Sequence, residues 1–106
     1  MKYYAVAEIE VVEPAWVQQY IDEVTPIVER RGGRYLARTQ RVERIEGGRA
    51  LPQTVLIIEW SSKEAAEAFY ESDEYRPYRD ARRRGARNEF LLVAGEDMTG
   101  VARLAD

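Results

Sequence analysis

The 106-residue chain contains neither cysteine nor histidine. Without cysteine there is no disulfide, no thiolate nucleophile and no thiolate-bound zinc or iron–sulfur cluster. Without histidine the chain lacks the usual ligand of haem and non-haem iron, and the imidazole base that activates a serine. Any catalysis would therefore rest on Asp, Glu, Tyr, Lys or Arg side chains.

Phosphate-binding and metal-binding motifs are also missing. The 7 glycines form neither a phosphate loop nor a dinucleotide-binding fingerprint, so nucleotide-dependent chemistry has no support in the sequence. Glu8, Glu10 and Glu13 offer carboxylates, but they lack the spacing of a cation-binding loop. We therefore expect no cofactor and no metal.

The charge and hydropathy of the chain argue against two kinds of partner. The net charge of −3 and the pI of about 5.1 lack the basic excess that nucleic acids and membrane surfaces require. The arginines between positions 79 and 87 are flanked by acids and resemble a solvated helix face. No run approaches the ~18 apolar residues of a membrane-spanning helix. We expect a cytoplasmic protein with no nucleic-acid or membrane partner.

Hydrophobic periodicity divides the chain into a β-α-β-β-α-β order. Alternation over residues 3–12 predicts the first strand, and apolar residues at helical spacing from Pro14 to Val28 predict the first helix. Pro26 predicts a kink or short break in that helix. Gly32 or Gly33 is expected to end it in a left-handed cap.

The second half of the chain repeats this order. Strands over 34–44 and 54–60 should form a long hairpin with its turn at 45–49. Ser61 should cap the next helix, with Glu64 completing a capping box. A short helix from residue 72 should end at Gly85, and the last strand should cover 90–94.

Two strand–helix–strand halves predict an α+β, ferredoxin-like fold with an antiparallel sheet and both helices on one face. Residues 1–95 would form this domain and residues 96–106 a C-terminal tail. The segment 55–58 (V-L-I-I) is apolar on both faces, whereas a strand covered on one side would alternate. We therefore expect a homodimer, joined by the sheet face that the helices leave open.

Several motifs, in order and spacing, resemble an uncharacterised bacterial family, domain of unknown function 1330. They are Tyr4, the stretch 7–11, Tyr20, Pro26, the segment 32–38, Glu59-Trp60, Ala65-Ala66, the run 70–75 and Arg82. The resemblance covers roughly residues 2–95. It implies membership of the dimeric α/β-barrel superfamily and a homodimer, and it implies no established activity.

Tyr70, Tyr75 and Arg82 are the strongest candidate site residues. Tyr75 and Arg82 lie two helical turns apart on one face, where an arginine beside phenolic hydroxyls would hold a carboxylate or enolate. The alternative is that both tyrosines are core aromatics and that Arg82 pairs with a nearby acid.

Three further residues complete the candidate pocket. Glu59 ends an apolar strand, where burial would raise its pKa and fit it for general-base work. It would equally serve in a structural ion pair with Arg82 or Arg38. Arg38 points either into the sheet interior or to solvent, and Tyr4 points either to the pocket or to the dimer seam.

Two functions follow from these residues. The first is a non-catalytic homodimer that binds a small organic molecule. The second is a cofactor-free oxygenase or isomerase acting on an enolisable or aromatic metabolite. The lack of histidine favours the first, but the sequence does not decide whether the protein is an enzyme.

Overall fold

The computed structural model describes residues 1–105, which form one four-stranded antiparallel sheet with helices on one face. The sheet order is β2-β3-β1-β4, and the predicted ferredoxin-like α+β fold is confirmed. The strands are β1 (Tyr3–Val11), β2 (Arg34–Thr39), β3 (Thr54–Trp60) and β4 (Ala86–Ala94). A 3₁₀ turn (Pro14–Trp16) precedes the helices α1 (Val17–Arg30), α2 (Lys63–Tyr70) and α3 (Arg76–Gly85).

The core lies between the sheet and the helices. Ala7 of β1 is fully buried and stands opposite Leu56 of β3 and Phe90 of β4, so these residues share the face that the helices cover. The buried apolar residues are Ala7, Ile9, Val24, Ile27, Val28, Leu56, Ile58, Trp60, Ala66, Phe69 and Tyr75. This cluster contains residues from β1 and β3, from α1 and α2, and Tyr75 just before α3, so the helices and the sheet pack as one unit.

The C-terminus of α1 has the predicted glycine cap. Gly32 has φ 92°, Gly33 N donates to Val28 O at 2.8 Å, and Gly32 N donates to Glu29 O at 3.1 Å, which together form a Schellman motif. The short break predicted at Pro26 is absent, because α1 continues through it. Val24, Ile27 and Val28 are buried on both sides of the proline, and their packing outweighs the lost hydrogen bond.

The first strand ends one residue before its predicted end, at Val11, and two other predicted strand boundaries are wrong by several residues. The second strand ends at Thr39 rather than at residue 44, since its partner β3 begins at Thr54. The side chain of Gln53, just before β3, turns to β1 and accepts a hydrogen bond from Val11 N at 2.7 Å. The last strand begins at Ala86 rather than at residue 90, because Ala86 already pairs with Val11.

The cap of α2 also differs from the prediction. Ser62, rather than Ser61, precedes the helix, and its Oγ accepts from Ala65 N at 3.0 Å. Glu64 is only two residues beyond this cap, so it does not complete a capping box.

The junction of α3 and β4 is packed closely against the start of the first helix. Gly85 O accepts from Val12 N and Glu13 N, each at 2.9 Å, and from Trp16 Nε1 at 3.1 Å. A Cβ atom at position 85 would lie 2.3 Å from Trp16 Cδ1. Glycine is therefore required here by close approach.

We expect Gly85→Ala to lower the free energy of unfolding by about 1–3 kcal/mol, since the indole of Trp16 must move from its hydrogen bond. Urea denaturation measures this change. Gly48→Ala is the matched control, because a Cβ there meets nothing within 4 Å, and it should change stability by less than ~1 kcal/mol. Equal stability of the two variants would contradict the close packing.

Candidate active or binding site

Three side chains meet in the interior: Tyr20 of α1, Arg82 of α3 and Tyr75, which lies just before α3. Tyr75 immediately precedes α3, is fully buried, and stacks on Phe69 with ring centroids 4.3 Å apart. Its Oη lies 2.6 Å from the Oη of Tyr20 on α1. Arg82 Nη2 donates to Tyr75 Oη at 3.4 Å, so the guanidinium and both hydroxyls form one polar cluster within an apolar core.

Arg82 is a buried cation without a counter-ion among residues 1–105. The side chain is 1% exposed, and its Cζ lies 4.2 Å from the centroid of the Phe90 ring. The ion pairs of the described residues do not include Arg82, and its Nε has no hydrogen-bond partner among them. Burying an unpaired charge is costly, and such a group marks a candidate functional site.

The protonation states make this cluster a donor of hydrogen bonds. Burial, and then the neighbouring Tyr75 hydroxyl, raise the pKa of Tyr20 well above its ordinary value. Tyr20 therefore keeps its proton at neutral pH, and arginine does not lose its proton in proteins. The cluster carries a positive charge and suits a ligand that brings a negative one.

Two adjoining clefts lie beside this cluster, and Arg82 is the member of the cluster that lines one of them. The first, called the Arg82 cleft, has a volume of about 530 Å³ and is lined by Tyr70, Arg82, Arg83, Ala86, Asn88 and Phe90. The second, called the α2 cleft, has a volume of about 300 Å³ and lies between α2 and the sheet. It is lined mainly by apolar residues, with Glu67 and Glu71 also on its wall. The two clefts share Tyr70 and Phe90.

The structure brings together Tyr70, Tyr75 and Arg82, the three strongest site residues predicted from the sequence. The Tyr70 ring is 5.9 Å from that of Tyr75 and 6.1 Å from that of Phe90. Arg79 lies over Tyr70, with its Cζ 5.4 Å from the ring centroid, and donates to Tyr70 O at 3.0 Å. Tyr70 thus lies between the two clefts, and its contacts with Arg79 hold it there.

Glu59 and Tyr4 lie on the other side of the sheet. Glu59 falls between the inward-facing Ile58 and Trp60, so strand alternation turns it outward, opposite Tyr4 in the register. Its carboxylate pairs with Lys2 Nζ at 2.7 Å. The expected ion pair of Glu59 with Arg82 or Arg38 is therefore wrong, and Glu59 is not on the wall of the Arg82 cleft.

Arg38 lies apart from both groups. It lines a separate cleft between α1 and the sheet, and Tyr20 lines the same cleft. Its Nη1 donates to Thr25 Oγ1 at 3.0 Å, and its Cζ lies 4.6 Å from the Tyr35 ring centroid. Simple alternation predicts that Arg38 shares a face with Leu36. A register shift between Tyr35 and Ala37 places it on the face of Tyr35 instead.

Sequence reasoning missed two residues of the site, Tyr20 and Asn88. Tyr20 falls in the apolar stripe of the first helix, so the sequence pattern indicates a core residue and gives no sign that its hydroxyl belongs to a site. Asn88 lies before the predicted start of the last strand. A predicted strand that began at position 86 would have placed Asn88 on the inward face, between Ala86 and Phe90 and opposite Ile9.

No group of three or more acidic residues that could hold a metal ion occurs within residues 1–105. In that same part of the chain, no helix has the length and apolar character that crossing a membrane requires.

The family described as domain of unknown function (DUF1330) matches residues 2–96. The chain belongs to this family. No curated protein matches the chain.

Solved structures share the fold of this DUF1330 protein at low sequence identity. A protein of unknown function from Rhodopseudomonas palustris, RPA0582, has a TM-score of 0.69 and 17% identity, covering 87% of this chain and 80% of its own. SnoaB, a cofactor-independent oxygenase from Streptomyces nogalater, has a TM-score of 0.65 and 18% identity, covering 92% and 95%. A putative antibiotic biosynthesis monooxygenase from Nitrosomonas europaea has a TM-score of 0.57 and 15% identity, covering 89% of each chain.

Because Arg82 lacks a counter-ion among the described residues, we expect Arg82→Met to leave the free energy of unfolding unchanged or to raise it. Methionine keeps the contact with Phe90 and removes the buried charge. Urea denaturation tests this. Arg84→Met is the control, since Arg84 is an exposed residue of the same helix and should change stability by less than ~0.5 kcal/mol. A loss of several kcal/mol at Arg82 alone would show that the charge stabilises the fold.

Proposed function

We propose that this DUF1330 protein is a homodimer that binds a small organic anion in each subunit, without a catalytic role. The observation that carries the proposal is Arg82, a cation 1% exposed that lacks an ion pair within residues 1–105. An oxygen anion at the guanidinium would offset the cost of burying that charge. The hydroxyls of Tyr20 and Tyr75 would support the guanidinium from behind.

The adjoining α2 cleft supports an apolar body for the rest of the ligand. Phe69, Trp60 and Ala66 line it together with the shared Tyr70 and Phe90. Small-molecule sites combine such apolar walls with a few convergent polar groups. The volumes and linings therefore favour an aromatic or other flat apolar body that carries one carboxylate or enolate.

A non-catalytic role is favoured because the best candidate base is elsewhere. Glu59 lies on the opposite sheet face and pairs with Lys2, and the Arg82 cleft has no carboxylate among its described lining residues. Glu67 and Glu71 lie on the wall of the neighbouring α2 cleft, and neither forms an ion pair with Arg82. The second candidate is a cofactor-free oxygenase or isomerase of an enolisable or aromatic metabolite. The observation in its favour is the hydrogen bond of Arg82 to the Tyr75 hydroxyl, which lies 2.6 Å from that of Tyr20 and would orient the guanidinium to stabilise an enolate.

The proposed dimer interface is the sheet face opposite the helices. Leu91 and Val93 of β4 are 60% and 45% exposed there, next to the half-buried Val6 and Ile57. Ion pairs border this patch, including Arg87 Nη1 with Glu10 Oε1 at 3.0 Å. A contiguous apolar patch with a charged border is typical of an interaction site.

For ligand binding, we expect small aromatic carboxylates such as benzoate to raise the melting temperature of the wild type in a thermal-shift assay. A ligand at 100 times its Kd stabilises by about 2.7 kcal/mol. Arg82→Met should lose this response, because the anion loses its cation, while Arg84→Met should keep it. Binding that persists in Arg82→Met would refute the assignment of the site. Turnover of a bound compound by the wild type would favour the enzymatic alternative.

For assembly, we expect the wild type to sediment as a dimer at micromolar concentration. Leu91→Glu should yield monomers, because it places an uncompensated charge in the apolar contact. Ile45→Glu is the matched control, since Ile45 is 97% exposed in the loop between β2 and β3. Analytical ultracentrifugation measures the oligomeric state of all three proteins. A monomeric wild type would contradict the proposed interface.

A further inference from the structure

Asn88 lines the Arg82 cleft and carries a hydrogen-bond acceptor that lacks a partner among residues 1–105. It lies on β4 opposite Ile9, which turns it toward the helices. Its Nδ2 donates to Ala86 O at 3.0 Å, and this bond fixes the orientation of the amide. The Oδ1 atom is buried and has no hydrogen-bond partner in the part of the chain that the structure describes.

Two buried side-chain atoms, Asn88 Oδ1 and Arg82 Nε, thus lack partners among residues 1–105, and both residues line the same cleft. They are complementary in kind, since Nε–H is a donor and Oδ1 is an acceptor. Buried polar groups in native proteins are nearly always satisfied. A simple carboxylate would satisfy Arg82 but would leave Oδ1 beside a negative group with no donor.

We infer that Asn88 is a specificity-determining residue, which selects an organic anion that also carries a hydroxyl or N–H donor. The ligand class is therefore an aromatic or apolar carboxylate or enolate with a hydroxyl substituent. The anionic oxygen binds at Arg82, and the hydroxyl donates to Asn88 Oδ1. This inference rests on the proposed anion site, and it adds the chemistry of the second group.

Isothermal titration calorimetry of the wild type with three kinds of probe tests the inference. Benzoate carries the anion alone, the 2-, 3- and 4-hydroxybenzoates add a donor, and the corresponding methoxybenzoates add only an acceptor. At least one hydroxybenzoate should bind tighter than benzoate by about tenfold or more, the worth of one satisfied buried acceptor. Its methoxy counterpart should bind no tighter than benzoate.

Asn88→Ala should remove the preference for the hydroxyl while retaining benzoate binding, which also reports that the variant is folded. Asn88→Leu provides a second variant of nearly the original size. In Arg82→Met, binding of every probe should be lost, whereas Arg84→Met should behave as the wild type does.

The outcomes separate this inference from the function on which it rests. Equal affinities for benzoate and all three hydroxybenzoates, each dependent on Arg82, would overturn the role of Asn88 and leave the anion site intact. A hydroxyl preference that survives in both Asn88 variants would overturn it as well. No binding by any probe would overturn both proposals.

Discussion

The alternation of side chains along β1 is the constraint on which the rest of the structure depends. This strand pairs with β3 on one edge and with β4 on the other, so its register sets the direction of every residue across three strands. Ala7 is fully buried at its centre, where a small side chain leaves room for the helices. The same alternation directs Asn88 and Phe90 inward and Glu59 outward. Strand pairing therefore decides which sheet residues face the Arg82 cleft, and the helices supply Tyr70, Arg82 and Arg83.

The charged residues of the protein differ in how much they contribute to the stability of the fold. The exposed ion pairs, such as Arg49 with Glu8 at 3.1 Å, are screened by water and contribute little to stability. Arg82 is of another kind, because it is removed from water without an anion among the described residues to compensate it. Natural proteins retain such unfavourable groups where function needs them. The apolar core, rather than electrostatics, supplies the stability that permits this cost.

The sequence predicts those features that local chemistry decides. Gly32 forms the cap that its conformational freedom favours, and the seven residues of β3 lie where apolar patterning places them. Strand ends depend on where the partner strand ends, which explains why β2 and β4 differ from expectation. The pairing of Tyr75 with Arg82 follows from helical spacing. The contact of Tyr75 with Tyr20 joins residues 55 positions apart, which local patterns do not predict. The inward orientation of Asn88 follows only from its register with Ile9.

The edge strand β4 links the proposed cleft to the proposed interface. Its inward residues, Asn88 and Phe90, line the Arg82 cleft, while the outward Leu91 and Val93 form the exposed apolar patch. A shift of its register by one residue would exchange the two sets, placing the asparagine outside and charged neighbours in the core. All nine residues of β4 pair with β1, and this extended pairing prevents such a shift. Since an edge strand is otherwise free to slip or to pair with other chains, the proposed ligand recognition and the proposed assembly would both depend on the same ladder of hydrogen bonds.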